Sequence, residues 1–378
     1  MTARFAMNSA RTQYLAAVRS IVIKLGSQLL TDKATRRLDP AFLATIAREV
    51  AQLRERNIEV TIVSSGAISA GLAELNLPKR PTDLAQLQAV AAVGQRCLMD
   101  AWADAFYAQK MTVAQVLLTR EDIDDRTRFL NVRNTIRATH ELNAIPIINE
   151  NDTISTDELI KITFGDNDIL AAMVAAALRA DLLVLLTVVD GLLDEHGKPV
   201  RLVESLDHAR QLVRVEKSAL GKGGMNSKLE AARMVTDAGE VMAVANGRDP
   251  DVLVRLMNGE DVGTLFAPSA KKQSSRSRWI GAARPAGSIV VDTGAVAALV
   301  EKNRSLLPAG IVRVAGEFEP GDVVSIIGPD GVELARGLSN YAHGDVEKIR
   351  GKKTADVRAM LGEAAYDEVV HRNNLVLC

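Results

Sequence analysis

The sequence predicts an α/β protein: a mostly parallel open sheet sandwiched by helices, followed by a small, mainly β domain. Three observations carry that expectation. From Ser20 to about Val244, short β-branched runs alternate with longer stretches whose apolar residues recur at helical spacing. Strands alternating with helices demand right-handed crossovers, and those place helices on both faces of a parallel sheet. After residue 268 the texture changes to short alternating runs rich in Gly, separated by the turn signals EPGD and GPDG. The length, 378 residues with 47% hydrophobic and 25% charged, supports two or three domains and excludes a largely disordered chain.

Taken in order, residues 1–17 read as an extension outside the first core, because their scattered Arg residues accompany no apolar stretch. The first domain, 18–267, holds the strand-like runs Ser20–Lys24, Glu59–Val63, Thr112–Leu117, Ile145–Asn149, Leu182–Thr187 and Glu240–Val244. Between them lie the amphipathic stretches Asp39–Arg56, Leu84–Ala108 and Arg126–Glu141. Thr153–Phe164 is too short for a crossover and reads as a loop or hairpin. Residues 268–284, basic and without period, read as a linker. The second domain, 285–366, carries the alternating runs Ser288–Asp292, Gly310–Val314, Asp322–Ile327 and Glu333–Gly337, then a helical pattern at Asp345–Leu361. Residues 367–378 remain as a tail.

The same arithmetic excludes several function classes. Lys plus Arg number 46 against 47 for Asp plus Glu, which provides no global attraction for nucleic acid or an anionic membrane. The longest apolar runs, 169–178 and 182–189, fall short of the ~20 residues a spanning helix needs. Cys97 and Cys378 cannot build a disulfide framework, as suits a reducing cytoplasm.

In an open parallel sheet, ligands bind outside the carboxyl ends of the strands, so the polar clusters there are the candidates. Lys24 leaves a strand in IVIKLGSQLL, as a surface lysine or as an ammonium for phosphate. Ser64, Ser65 and Gly66 precede a helix start, as a cap or as an anion site. Asn149, Glu150, Asn151 and Asp152 follow another strand. They serve as turn residues or as the amides and carboxylates that recognise an amino acid. In FGDNDILAA, Asp166 or Asn167 caps the next helix and places polar groups at a buried mouth. The run GKGGMNSKLEAA lacks Walker A spacing, yet it brings Gly223, Gly224 and Met225 into a helix with Lys228 in its first turn. A lysine there opposes the helix dipole unless an anionic phosphate sits at the same end.

Taken together and in this order, KLGS, SSGAISAG, NEND, GDND and GGMNSK resemble the amino acid kinase superfamily, and within it the branch that phosphorylates L-glutamate in proline biosynthesis. The resemblance covers roughly residues 18–366, and the C-terminal segment is similar to a PUA domain. It implies ATP as phosphoryl donor, with Mg²⁺ on its phosphates and no residue assigned to the metal. It implies that Lys24 and Lys228 contact the transferring phosphoryl group and that Asp166 orients them. It implies that Ser65, Asp152 and Asn167 bind glutamate, and Ser64, Gly66 and Asn149, read above from the residues themselves, are expected to complete that site. Thr187, Val188, Gly223, Gly224 and Met225 join the two lysines in binding the nucleotide. Where the family commonly has an acidic residue after the threonine, this chain has Val188; Lys222 and Ser227 also depart from the pattern. The resemblance further implies feedback inhibition by L-proline, a homo-oligomer and a reductase that consumes the labile glutamyl phosphate.

Other acceptors on the same fold, such as N-acetylglutamate, aspartate or carbamate, form the alternative reading. An RNA-binding role for the PUA-like segment is disfavoured, because residues 288–366 hold nine basic side chains against eleven acidic ones.

Overall fold

A computed structural model describes residues 10–32, 34–154, 166–207, 209–211, 224–269, 275–361 and 366–378. The chain divides into two units, Met1–Lys272 and Gln273–Cys378, each with its own sheet. The segment Thr153–Phe164, expected as a loop or hairpin, lies largely outside the described residues, as does Gly223.

In the first unit the strands are β1 (Ser20–Leu25), β2 (Glu59–Val63), β3 (Thr112–Leu118), β4 (Ala144–Glu150), β5 (Leu182–Thr187), β6 (Leu202–Val203), β7 (Val241–Asn246) and β8 (Thr264–Phe266). They run in the order β3-β4-β2-β1-β5-β7-β8-β6. Every neighbouring pair is parallel except β7–β8. β1, β2 and β5 are buried almost throughout, which is why they read as continuous apolar runs rather than alternating ones. The short strands β6 and β8 escaped the sequence reading because two or three residues carry no period.

Each helix seats an apolar stripe on this sheet. The helix Pro40–Glu55 buries Phe42, Leu43, Ile46, Ala47, Val50 and Leu53 at three- and four-residue intervals. It starts where it does because the Asp39 carboxylate accepts from Phe42 N at 3.0 Å and Pro40 suits the first helical position. The helix Leu84–Tyr107 is capped by Asp83, which accepts from Gln86 N at 2.9 Å. This helix crosses the helix Ala67–Glu74 at Gly94 in backbone contact. A Cβ at Gly94 would lie 1.8 Å from Ala67 O and 2.4 Å from Gly71 N, so only glycine permits the approach.

The N-terminal segment corrects an expectation. Residues 10–16 are helical, and Arg11 and Leu15 are buried, so residues from 10 onward belong to the first core rather than to an extension 1–17 outside it. The Arg11 guanidinium donates to the carbonyls of Arg201 and Val262, the latter at 2.6 Å. Those carbonyls flank β6 and β8, and a buried guanidinium survives only with such acceptors. Burial lowers its pKa to about 10 even so, against the opposing charge of Asp261.

The second unit forms a five-stranded sheet from β9 (Gly287–Val291), β10 (Ile311–Gly316), β11 (Val323–Ile327), β12 (Glu333–Ser339) and β13 (Val370–Leu377), ordered β10-β9-β11-β12-β13. β9 and β11 are parallel and the other pairs antiparallel. Ile289, Val291, Val324, Ile326, Val346 and Ile349 lie in its core. Two boundaries differ from the sequence reading. The basic stretch 268–284 is not a bare linker, since it contains the helix Ser275–Ala282, whose Trp279 and Ile280 are buried. Arg336 Nη1 on β12 donates to Gly281 O at 3.0 Å and Ala283 O at 3.2 Å, tying that segment to the sheet. The tail 367–378 supplies β13, which pairs with β12; the polar middle of VHRNNLVL suits an edge strand and hides its alternation. The pattern at Asp345–Leu361 resolves into the helices His343–Ile349 and Thr354–Leu361, separated by Gly351 at φ +72°. Among the described residues, no helix is long and apolar enough to cross a membrane.

One buried charge in this fold has a measurable signature. Glu49 is 0% exposed, and its Oε2 accepts from Leu253 N at 2.7 Å, at the start of the helix Val252–Met257. Burial raises its pKa from 4.5 to about 7 against that hydrogen bond. Between those values the folded chain keeps a proton that the unfolded chain has released, so stability falls as pH rises through the interval. Glu49→Gln keeps an oxygen for Leu253 N and removes the titration. Urea unfolding at pH 5 and pH 8 should show wild type losing up to about 3 kcal/mol more than the variant. Equal losses in both proteins would mean that Glu49 titrates normally.

Candidate active site

Five segments bring side chains to the carboxyl ends of the central strands. Parallel pairing puts Lys24 level with Val63 of β2 on one side and Leu185 of β5 on the other, so Lys24 leaves β1 at the centre of that edge. Asp168 stands in the first turn of the helix Asp166–Leu178, and Lys228 is the fifth residue of the helix Gly224–Asp237, one turn in from its start. Lys24 Nζ lies 2.6 Å from Asp168 Oδ1, and Lys228 Nζ 3.0 Å from Asp168 Oδ2. Ser227 Oγ donates to the same Oδ2 at 3.3 Å.

This arrangement corrects one assignment. The carboxylate between the lysines is Asp168, not Asp166. A helix turns by about 100° per residue, so the phase of the helix decides which residue of GDND occupies the face packed towards β1. Asp168, 1% exposed, occupies it. Asp166 opens the helix. The motif GDND did signal a carboxylate here; its spacing alone could not say which.

Burial is the largest influence on Asp168 and pushes its carboxyl up. The charges of Lys24 and Lys228, with the hydrogen bonds from both, outweigh it and hold the carboxyl below the ordinary carboxylate range. Two ammonium groups around one buried carboxylate leave a net positive charge among largely buried side chains, which is the electrostatic complement of a phosphoryl group.

Beside this triad, Ser64 and Ser65 follow β2, and Gly66, at φ +98°, caps the helix Ala67–Glu74 in the left-handed conformation that glycine tolerates. Asn167 Nδ2 donates to Ser65 Oγ at 2.6 Å and to Ser64 O at 3.3 Å, joining two expected acceptor residues. Asn149 and Asp152 are buried at the end of β4. Ser64 N donates to Ile148 O at 2.8 Å, which ties the ends of β2 and β4 together. Thr187 ends β5 opposite Asn246 of β7, and Val188 is exposed just beyond it. Gly224 and Met225 open the helix that carries Lys228.

Three contributors escaped the sequence reading. Besides Asp168, Trp102 Nε1 donates to Ser64 Oγ at 3.1 Å, and Gln95 Oε1 accepts from Asn149 Nδ2 at 2.8 Å. Both lie on the buried face of the helix Leu84–Tyr107. A lone amide within an apolar stripe was the available signal for Gln95.

The sequence profile of the amino acid kinase family matches residues 19–246, and that of the PUA domain matches residues 287–361. The chain belongs to the amino acid kinase family. Among curated members it is 44% identical to the glutamate 5-kinase of Geobacter sp. strain M21, over 97% of this chain and 100% of the relative. It is 45% identical to the glutamate 5-kinase of Herpetosiphon aurantiacus, over 94% and 97%, and 43% identical to that of Thermus thermophilus, over 96% and 98%. As a member of the amino acid kinase family, the chain carries Lys24, Asp168 and Lys228 inside the matched region.

Removing one partner of a buried ionic cluster leaves the others uncompensated. Asp168→Ala should therefore lower unfolding free energy by about 3 kcal/mol at pH 7, read from denaturant midpoints. Because the Asp168 pKa is depressed, its contribution is present above the unfolded-chain value near 4 and fades as pH falls further. The deficit should narrow below that point. A variant as stable as wild type at neutral pH would show that the lysines need no counter-ion.

Proposed function

We propose that this chain transfers the γ-phosphoryl group of ATP to the side-chain carboxylate of L-glutamate, yielding L-glutamyl 5-phosphate and ADP in the first step of proline biosynthesis. The convergence of Lys24 and Lys228 on Asp168 is the observation that carries the reading. The glutamate 5-kinases, similar over nearly the whole chain, support the choice of acceptor.

A glutamate side chain has an unperturbed pKa of about 4.3, so at neutral pH it is already an anion and needs no general base. The obstacle is repulsion between that anion and the triphosphate. One carboxylate oxygen attacks the γ-phosphorus, the bond from phosphorus to the bridging oxygen breaks, and its electron pair leaves on ADP. Lys24 stabilises the equatorial oxygens of the phosphoryl group, and Lys228 offsets the charge that grows on the leaving phosphate. Asp168 acts through them by fixing both ammonium groups where charge develops. Among the described residues no three His, Cys, Asp or Glu side chains form a metal cage, and both Asp168 oxygens face ammonium groups. Mg²⁺ would enter with the donor substrate as Mg·ATP and would supply further charge neutralisation on its phosphates.

Asp152, 7% exposed, is the counter-charge proposed for the α-ammonium of glutamate. An N-acylated acceptor lacks that charge and would leave the carboxylate buried without it. Exposed Val188 and Val189 beyond β5 offer an apolar face to the adenine base. L-proline keeps the α-carboxylate and α-nitrogen of glutamate, which suits competition at the same pocket.

Purified protein should release ADP with L-glutamate in preference to N-acetylglutamate or aspartate, and hydroxylamine should trap the acyl phosphate. Lys24→Ala and Lys228→Ala should each lower kcat by about 10²- to 10³-fold while the glutamate KM stays within a few-fold. Asp152→Ala should raise the glutamate KM at least tenfold, roughly the cost of one unpaired charge. Near-normal kcat in either lysine variant, or an unchanged KM in Asp152→Ala, overturns the corresponding role.

A further inference from the structure

We infer, on the footing of the glutamate acceptor proposed above, that Gln95 sets affinity for that acceptor: its oxygen locks the Asn149 amide, and its Nε2 donates to a carboxylate oxygen of the bound amino acid. Gln95 is a polar residue in an apolar stripe. On the helix Leu84–Tyr107 it shares the buried face with Leu87, Ala91, Gly94, Leu98 and Trp102, and it is 8% exposed. A buried amide is unfavourable unless both ends are hydrogen-bonded.

Only one end is. The Glu150 backbone N–H donates to Asn149 Oδ1 at 2.9 Å, which settles which end of the Asn149 amide is the oxygen. The Nδ2 of Asn149 therefore faces Gln95 and donates to its Oε1 at 2.8 Å. That bond in turn commits the Gln95 nitrogen to the other direction. Its Nε2 is buried and has no hydrogen-bond partner among the described residues. Asn167 donates through Nδ2 to Ser64 and Ser65, and its Oδ1 is likewise buried without a partner among the described residues. The acceptor region thus offers an unmet donor and an unmet acceptor. A zwitterionic amino acid, with carboxylate oxygens and an ammonium, answers both.

The location of Gln95 is set by its neighbour. Gly94 brings the helix into backbone contact with Ala67, so Gln95 is held directly behind the turn that carries Ser64, Ser65 and Gly66. Trp102, two turns further along, holds Ser64 Oγ. One helix therefore braces both sides of the acceptor site from the rear.

Two variants separate the two roles. Gln95→Met keeps the length and removes both polar ends. Gln95→Glu keeps an oxygen for Asn149 and replaces the donor by an anion that repels a carboxylate. Steady-state kinetics of the full chain should show the glutamate KM raised at least tenfold in both, with kcat and the ATP KM within about threefold of wild type. Burial raises the pKa of a carboxyl group, and its protonated form is again an O–H donor. The Gln95→Glu defect, expressed as the ratio of its glutamate KM to that of wild type, should therefore shrink as pH is lowered from 8.5 to 6. An unchanged glutamate KM in a Gln95→Met variant with wild-type Tm overturns the inference. So does a ratio for Gln95→Glu that is flat with pH, which would leave Gln95 a packing residue. A Gln95→Met protein too unstable to assay leaves the decision to the pH dependence of Gln95→Glu. If wild type itself fails to phosphorylate glutamate, the proposed acceptor falls, and the role of Gln95 falls with it.

Discussion

The Asp168 carboxylate lies between two lysines that its own negative charge makes mutually tolerable. Like charges that close in a nearly dry pocket would repel or lose protons, and a lone carboxylate as buried as this one would take a proton up. Each member is thus stable only with the others present. The cluster joins β1, the helix Asp166–Leu178 and the helix Gly224–Asp237, so the electrostatics that suit phosphoryl transfer also fasten three distant stretches of chain. Catalytic geometry and fold stability cannot be tuned separately here.

Around this centre the walls divide the labour. β1 and its neighbours are buried on both faces and place their carboxyl ends within a narrow band. The helix Leu84–Tyr107 contributes nothing that ends at the strand edge, yet it reaches Ser64 through Trp102 and Asn149 through Gln95. Support from behind matters because Ser64 and Asn149 stand at the carboxyl ends of β2 and β4, where the backbone is held by pairing but the side chains project beyond it. Without the helix, these side chains would be held only by the turns that carry them.

Much of this was legible in the sequence, and the omissions have physical causes. Five of the six long strands of the first sheet announce themselves because buried parallel strands are nearly continuous apolar runs, and the partly exposed edge strand β3 keeps enough apolar residues to be read with them. The clusters at Lys24, Ser64 and Asn149 stand out because polar residues crowd the ends of those runs, and Lys228 because it follows a glycine run that enters a helix. Asp168 was confused with Asp166 because GDND offers two carboxylates two residues apart, and the helix phase that brings one of them to the lysines depends on the residue at which the helix begins. Gln95 was missed because a stripe pattern assigns a position to the core without asking what an amide does there. In the second unit, β13 was missed because an edge strand with Arg and Asn at its centre shows no alternation. The helix Ser275–Ala282 was missed because its basic residues masked buried Trp279 and Ile280.

The N-terminal contact has a practical side. Arg11 reaches across the sequence to the backbone beside β6 and β8, where its guanidinium donates to the Val262 carbonyl and to the Arg201 carbonyl, which also accepts from Leu265 N of β8 at 3.0 Å. An expression clone trimmed to begin at Ser20, where the first β-branched run suggests a natural cut, would strip that clasp and unlatch the short strands at the sheet's far margin. Fusion tags belong upstream of residue 10, with enough spacer that the arginine can still find its place.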